Sequence, residues 1–190
     1  IHAGNGALLA EYASEKRLFV PVEAIPLRMI HAFVSAEDKA FYHHFGIDLR
    51  ALARAVVTNI VNYGKGRRPV GASTITQQVT KNFLLTNEVS IDRKIKEAIL
   101  SLRMERAFSK DQILALYLNE IYLGRGSYGV AAAALNYFDK SLGQLELSEI
   151  AYLAALPKAP NNYHPVRNLR AATIRRNWVL DEMQQNGYIT

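Results

Sequence analysis

Cysteine is absent from all 190 residues. That excludes a disulfide framework and any thiolate metal site, and it leaves the compartment open, since many exported proteins also lack cysteine. Long apolar runs are missing too. Stretches such as residues 150–156 fall far short of the ~18–20 apolar residues that a membrane span needs. No signal peptide is recognisable. Acidic residues are in deficit, 17 against 23 Lys and Arg, for a formal charge of +6. A basic surface suits an anionic partner, whether nucleic acid, phosphate groups or an anionic membrane, and it serves plain solubility equally. The chain starts at Ile1 rather than Met, so it reads as a fragment from which an anchor or signal has been cut away. Its length allows one domain with a real core, or a domain plus a short appendage.

What is present is mostly helical periodicity. Residues 1–25 stand apart as an extended arm. Asn5-Gly6 is a turn signal, segments 7–12 and 17–22 read as strands, and Pro21 and Pro26 mark the exit. The body, residues 26–190, opens with a helix carrying Met29, Ile30, Phe33 and Val34 as its stripe and ended by Gly46. Asp48 caps the next helix, with Leu49, Leu52, Ala53, Val56, Val57 and Ile60 on one side. Residues 63–70 hold two glycines, a proline and three cations, an exposed loop. Ser73 caps a helix to Leu85. Residues 90–108 form a long helix with Ile91, Ile95, Ala98 and Leu102 as its buried stripe. Ser109 and Gln112 make a capping box for a helix to Tyr122. Gly124, Gly126 and Gly129 form a tight connection. Residues 130–137 are alanine-rich and pack closely. Residues 147–156 form an apolar helix stopped by Pro157. Asn168 caps a last helix that Gly187 ends.

Chemistry concentrates in five stretches. Residues 36–48 gather three carboxylates, a lysine, three aromatics and two histidines. Glu37 is flanked there by Phe33, Phe41 and Tyr42, and desolvation raises a carboxylate towards a useful proton acceptor. A salt-bridged glutamate among packed aromatics fits the same residues. Ser73, Thr74, Gln77 and Gln78 follow Gly71 on the first turns of a helix, where unpaired N–H groups suit a polar or anionic ligand. Lys81 lies at i+4 from Gln77. Thr-Ile-Thr is poor helix filler, so another demand fixes it. Arg93 and Lys94 both reach Glu97 by helical spacing, and Glu105 lies two turns on, about 12 Å along the axis. An ordinary solvated face has the same pattern. Tyr117-Leu118-Asn119 reads as an amide satisfying backbone at a helix end. Residues 156–165 read as a rigid loop plugged by Tyr163.

Taken in order, these stretches resemble the five motifs of the peptidoglycan glycosyltransferases. They are Glu37-Asp38 with Phe41, His44 and Gly46; Gly71-x-Ser73-Thr74-Ile75-Thr76-Gln77-Gln78; Arg93-Lys94-x-x-Glu97 with Glu105; Tyr117-Leu118-Asn119 with Gly124 and Gly129; and Pro157-x-x-Pro160 with Tyr163 and Pro165. The resemblance covers residues 21–190. The arm looks like the segment that precedes this domain in class A penicillin-binding proteins. Ala115 stands where many members carry Glu, which removes a surface or helix-pairing charge, and Asn5 replaces the usual Asp before Gly6.

The resemblance implies a mainly α-helical fold, a lysozyme-like lobe plus a small membrane-facing lobe. It implies polymerisation of lipid II by inverting attack of a sugar 4-hydroxyl, with release of polyprenyl pyrophosphate. Glu37 would be the base, and Glu97 a second catalytic group that orients cations. Asp38, Ser73, Thr74, Gln77, Gln78, Lys81, Asn82, Arg93, Lys94, Glu105 and Asn119 would bind substrate. Lys65, Arg67 and Arg68 would form a basic flap over the donor site or the membrane surface. No cofactor is required, though a divalent Mg²⁺ or Mn²⁺ at the pyrophosphate is admitted, with Glu97 as its one candidate ligand. The implied partners are lipid II, the growing strand, the membrane surface and a transpeptidase domain beyond Thr190. A membrane helix would precede Ile1, the setting would be the outer face of the bacterial cytoplasmic membrane, and no nucleic acid is expected. The residues suit this chemistry: pyrophosphate is already a good leaving group and needs cations rather than a second acid. A lysozyme-like hydrolase with Glu37 as acid is the nearest rival, and a basic helical nucleic-acid-binding module is the other.

Overall fold

Alanine sets the spacing of the core. The computed structural model describes residues 15–66, 70–84 and 90–190. Among them are eight α-helices: α1 Leu27–Glu37, α2 Leu49–Val61, α3 Ile75–Leu84, α4 Ile91–Ala107, α5 Lys110–Glu120, α6 Val130–Phe138, α7 Leu147–Ala155 and α8 Leu169–Gln185. Helix α1 packs on α7 and α8, which pack on each other, while α6 lies against α5 and α7. Ala133, Ala134, Ala151, Ala154 and Ala155 are fully buried and admit the bulk of Phe33, Tyr117, Leu153 and Leu156. Small positions facing large ones let helices approach to crystal-like density. The mainly helical fold is the one the sequence implies.

Helix α3 joins this core to α4 by presenting two different faces. Ile75 and Val79 are buried in the hydrophobic core. Thr76 donates to Glu105 at 2.6 Å, and Thr80 meets the Ser101 hydroxyl at 3.1 Å. The β-branched Thr-Ile-Thr run is therefore fixed by an apolar interface on one side and a hydroxyl-lined one on the other. The visible end of the arm is tied down by a two-residue strand, β1 Lys16–Arg17, running parallel to β2 Ser127–Tyr128. Gly129 (φ +79°) sits against the Asn119 carbonyl, where a Cβ would come within 2.4 Å, so only glycine fits.

Three expectations are corrected, and the direction of the α2 stripe, which the sequence leaves open, is settled. Helix α1 stops at Glu37, because Asp38 leaves helical geometry (φ −158°) and a 3₁₀ turn, Phe41–His43, intervenes before Gly46. Gly46 instead makes the next bend at φ +85°, pressed on the Ser101 carbonyl of α4. The cap of α3 is Thr74 rather than Ser73: Thr74 Oγ1 accepts from Gln77 N, and Gln77 Oε1 accepts from Thr74 N. The apolar stripe of α2 faces outward, with Leu49 at 71% and Ile60 at 69% exposed. On α4 the stripe is reversed, since Ile91 (82% exposed), Ile95 and Leu102 point out while Glu97 and Ser101 are buried. The caps at Asp48, Ser90 and Ser109 stand where the sequence puts them. Asn168 holds the cap position of α8 without a side-chain bond. Asn5-Gly6, segment 7–12, Arg67, Arg68 and Leu85 lie outside the described residues.

Candidate active site

The carboxylate of Glu37 closes the last turn of α1 and lines a cleft of about 650 Å³. Helix α2 contributes Arg50 and Arg54 to that cleft, the segment before α3 contributes Gly71 to Thr74, and α8 contributes Trp178. Glu37 is half-buried, and burial pushes its pKa above the ordinary carboxylate value. The Gln78 amide, donating to Oε2 at 2.9 Å, pulls the other way. So, from a greater distance, do the charges of Arg175 and Lys158, while Asp38 adds to the rise. A carboxyl group held this way accepts a proton more readily than a solvated one.

Behind Glu37 a chain of bonds fixes the site. Gly46 N–H donates to His44 Nδ1 at 3.2 Å, so the proton sits on Nε2, which donates to both oxygens of Asp38 at 3.0 and 2.9 Å. Asp38 also accepts the backbone N–H of Ile75 at 3.0 Å, tying the end of α1 to the start of α3. Thr74 returns the link by donating to the Gly46 carbonyl at 2.6 Å. The cleft is thus rigid where the carboxylate sits, which is what orientation of a reacting proton needs.

Opposite lies a cationic group on α4. Glu97 is buried, and its two oxygens are taken by Arg93 (3.2 Å) and Lys94. Lys94 also donates to Ser73 Oγ at 2.9 Å, which brings that group to the cleft lip. The Nε–H of Arg93 is buried and finds no acceptor among the described residues.

The predicted site residues therefore divide. Glu37, Asp38, Ser73 and Thr74 line the cleft, Gln78 bonds to Glu37, and Arg93, Lys94 and Glu97 join it through Ser73. Asp38, Thr74 and Gln77 spend their polar atoms inside the scaffold. Glu105 does the same, accepting from Thr76 and from Lys110 at 2.7 Å. Asn119 satisfies backbone groups at the end of α5, as its residue pattern suggests. It clasps the arm by exchanging two bonds of 2.8 Å with Val20 and donates a third to the Ala115 carbonyl, outside the cleft lining. Lys81 and Asn82 are exposed on α3, and Lys65 is exposed in the turn after α2. Sequence reasoning missed Arg50, Arg54, Lys39, His43 and Trp178 in the cleft wall. The signal for the arginines was their i,i+4 spacing on α2, on the side away from the apolar stripe.

A raised carboxylate beside a cluster of cations in a helical fold suits an enzyme that moves a sugar or similar group from an anionic donor. Comparison with known proteins says which. The model of the transglycosylase family matches residues 5–184. Penicillin-binding protein 1A of Rickettsia felis is 56% identical over the whole chain, that of Aquifex aeolicus 50%, and that of Escherichia coli K12 45%. The chain spans only 24%, 26% and 22% of those proteins. The crystal structure of penicillin-binding protein 1A from Haemophilus influenzae superposes on the whole chain with a TM-score of 0.55 at 29% identity, using 18% of that chain. The chain belongs to the transglycosylase family, the peptidoglycan glycosyltransferases of bacterial cell-wall synthesis.

Proposed function

We propose that the chain polymerises lipid II, with Glu37 as the base. The observation that carries this is the setting of Glu37, a desolvated carboxylate steadied by Gln78 in a cleft whose lip is bonded to Lys94. The 4-hydroxyl of the incoming sugar gives its proton to Glu37 while its oxygen bonds to the donor's anomeric carbon. The bond from that carbon to the pyrophosphate oxygen breaks, and the electron pair leaves with the pyrophosphate. Attack from the opposite side inverts the anomeric centre. Arg93 and Lys94, with Lys81 further along α3, stabilise the departing charge. Glu97 orients Arg93 and Lys94. Ser73 and Gln78 are the polar groups nearest the reacting sugar.

A divalent ion at the pyrophosphate would have to be held by the substrate's own oxygens. Both oxygens of Glu97 are engaged by cations, and no trio of metal-ligating side chains gathers among the described residues. No step above uses a metal.

The outward apolar faces of α2 and α4, with Phe45 beside them at 80% exposed, suit the lipid surface from which such a substrate must be drawn. No helix among the described residues is long and apolar enough to cross a membrane. In this reading the lobe rests through those apolar faces on the outer face of the cytoplasmic membrane, and an anchor and a transpeptidase domain belong to the longer protein. Incubation with labelled lipid II in detergent tests the reading. The wild type makes glycan and Glu37→Gln makes none; equal polymer from both would remove Glu37 as the base. Hydrolysis of finished glycan instead of polymerisation would restore the lysozyme-like alternative.

A further inference from the structure

The chain contains a single tryptophan, and the fold sets it in the wall of the cleft that holds Glu37. Trp178 sits on α8, three residues after Arg175 and four before Glu182. The Arg175 guanidinium lies 3.6 Å from the ring centroid, covering one face of the indole. Glu182 pairs with Lys39, which lines the same cleft. The indole is therefore held by Arg175 on one face, and it packs on the hydrophobic core. It stays half-buried, part of its surface being left to the cleft.

The rest of that wall is mostly charged, polar or small: Lys39, Arg50 and Arg54 are the cations, and Ala36, Gly71 and Ala72 are among the small residues. Cations recognise phosphate and small residues leave room, but neither grips a neutral pyranose ring. A sugar presents an apolar C–H face, and a rigid aromatic surface complements it at little entropic cost. We infer that Trp178 is a specificity-determining residue, the platform on which a sugar ring of the substrate stacks while Glu37 meets its hydroxyl. Arg175 presets the ring plane and joins the charges that hold Glu37 below the pKa that burial alone would give it. This assignment rests on the glycosyl-transfer reading.

Because Trp178 is the only tryptophan, emission from the 190-residue chain reports on the cleft directly. Titration with chitotetraose, a neutral N-acetylglucosamine oligomer, is expected to change that emission saturably, and inorganic pyrophosphate is expected to leave it unchanged. With lipid II, Trp178→Ala should raise KM about tenfold, the scale of one well-placed aromatic contact, and lower kcat less than threefold. The acid limb of its pH profile should stay within a few tenths of a unit of the wild type, and Trp178→Phe should recover most of the affinity. Thermal melts of both variants separate lost stacking from lost folding. Emission indifferent to saturating chitotetraose, or an unchanged KM in a folded Trp178→Ala protein, overturns the assignment. Glycan made by Glu37→Gln would instead sink the parent reading, so the two failures are distinguishable.

Discussion

Helices α7 and α2 are both rich in apolar residues, and the protein treats them in opposite ways. Helix α7 buries Ile150, Ala151, Tyr152, Leu153, Ala154 and Ala155 between α1 and α8. Helix α2 is four residues longer and buries only Ala55. Helix α4 carries the reversal further, with isoleucines outside and a glutamate inside. The lobe of α1 and α5 to α8 is held by the hydrophobic effect in the usual sense. Inside the α2–α4 lobe, α3 and the turn before it meet their neighbours through hydroxyls, Thr74 on Gly46, Thr76 on Glu105 and Thr80 on Ser101, while Ile75 and Val79 of α3 join the lobe to the main core. Apolar periodicity says that a face will be covered. It does not say whether by protein or by lipid.

The sharpest way to test the contrast is to remove bulk from each lobe. Leu153→Ala empties space among residues that are fully buried. It should cost about 2–5 kcal/mol of unfolding free energy, read by denaturant titration. Val57→Asp with Ile60→Asp changes residues that already face out, so stability should move by no more than about 0.5 kcal/mol. Affinity for anionic vesicles should nevertheless fall about a hundredfold in sedimentation, because two apolar side chains no longer enter the bilayer and two charges replace them. If α2 were ordinary core, the double variant would unfold and the vesicle result would be moot. A stable variant with full vesicle binding would show that α2 does not touch lipid.

Glu97 is buried on α4, whose Lys94 reaches Ser73 before α3. Glu97→Gln keeps shape but removes the charge that Arg93 and Lys94 share. Turnover should fall about tenfold, the measure of a lost positioning charge, and leave detectable product in the lipid II assay. Full activity would take Glu97 out of the site. Complete loss, equal to that of Glu37→Gln, would make it a direct participant instead.

Much of the main lobe was legible because its signals are local. The capping box of Ser109 and Gln112, the glycine-rich connection and the alanine-rich run at α6 all act within a few residues. Glu37 was legible from its aromatic neighbours in sequence. Arg50, Arg54 and Trp178 were not, because they reach the cleft only through the packing of α2 and α8 around the end of α1. The same holds in reverse for Gln77, Glu105 and Asn119. They look like binding groups in a motif, and the fold consumes their polar atoms as struts. Dense polar sequence marks a site's surroundings as readily as its surface.

The smallest expected effect is the most informative about how the two lobes share one proton. Gln78 belongs to α3, and its amide favours the charged form of Glu37, whereas burial in the main lobe favours the neutral form. Gln78→Leu removes the first influence and keeps the second. The folded pKa of Glu37 must then rise further above its ordinary value of 4.5. Activity requires the ionised base, so the acid limb of kcat/KM should shift to higher pH, by about half a unit to one unit for one lost neutral donor. Stability carries a matching sign. A carboxyl whose pKa is raised on folding contributes stability at low pH and loses it as pH climbs through the folded value. The variant should therefore lose slightly more stability than the wild type between acidic and neutral pH. A limb that moves to lower pH, or not at all, would mean that Gln78 does not hold the ionised Glu37 and that α3 carries only the scaffold.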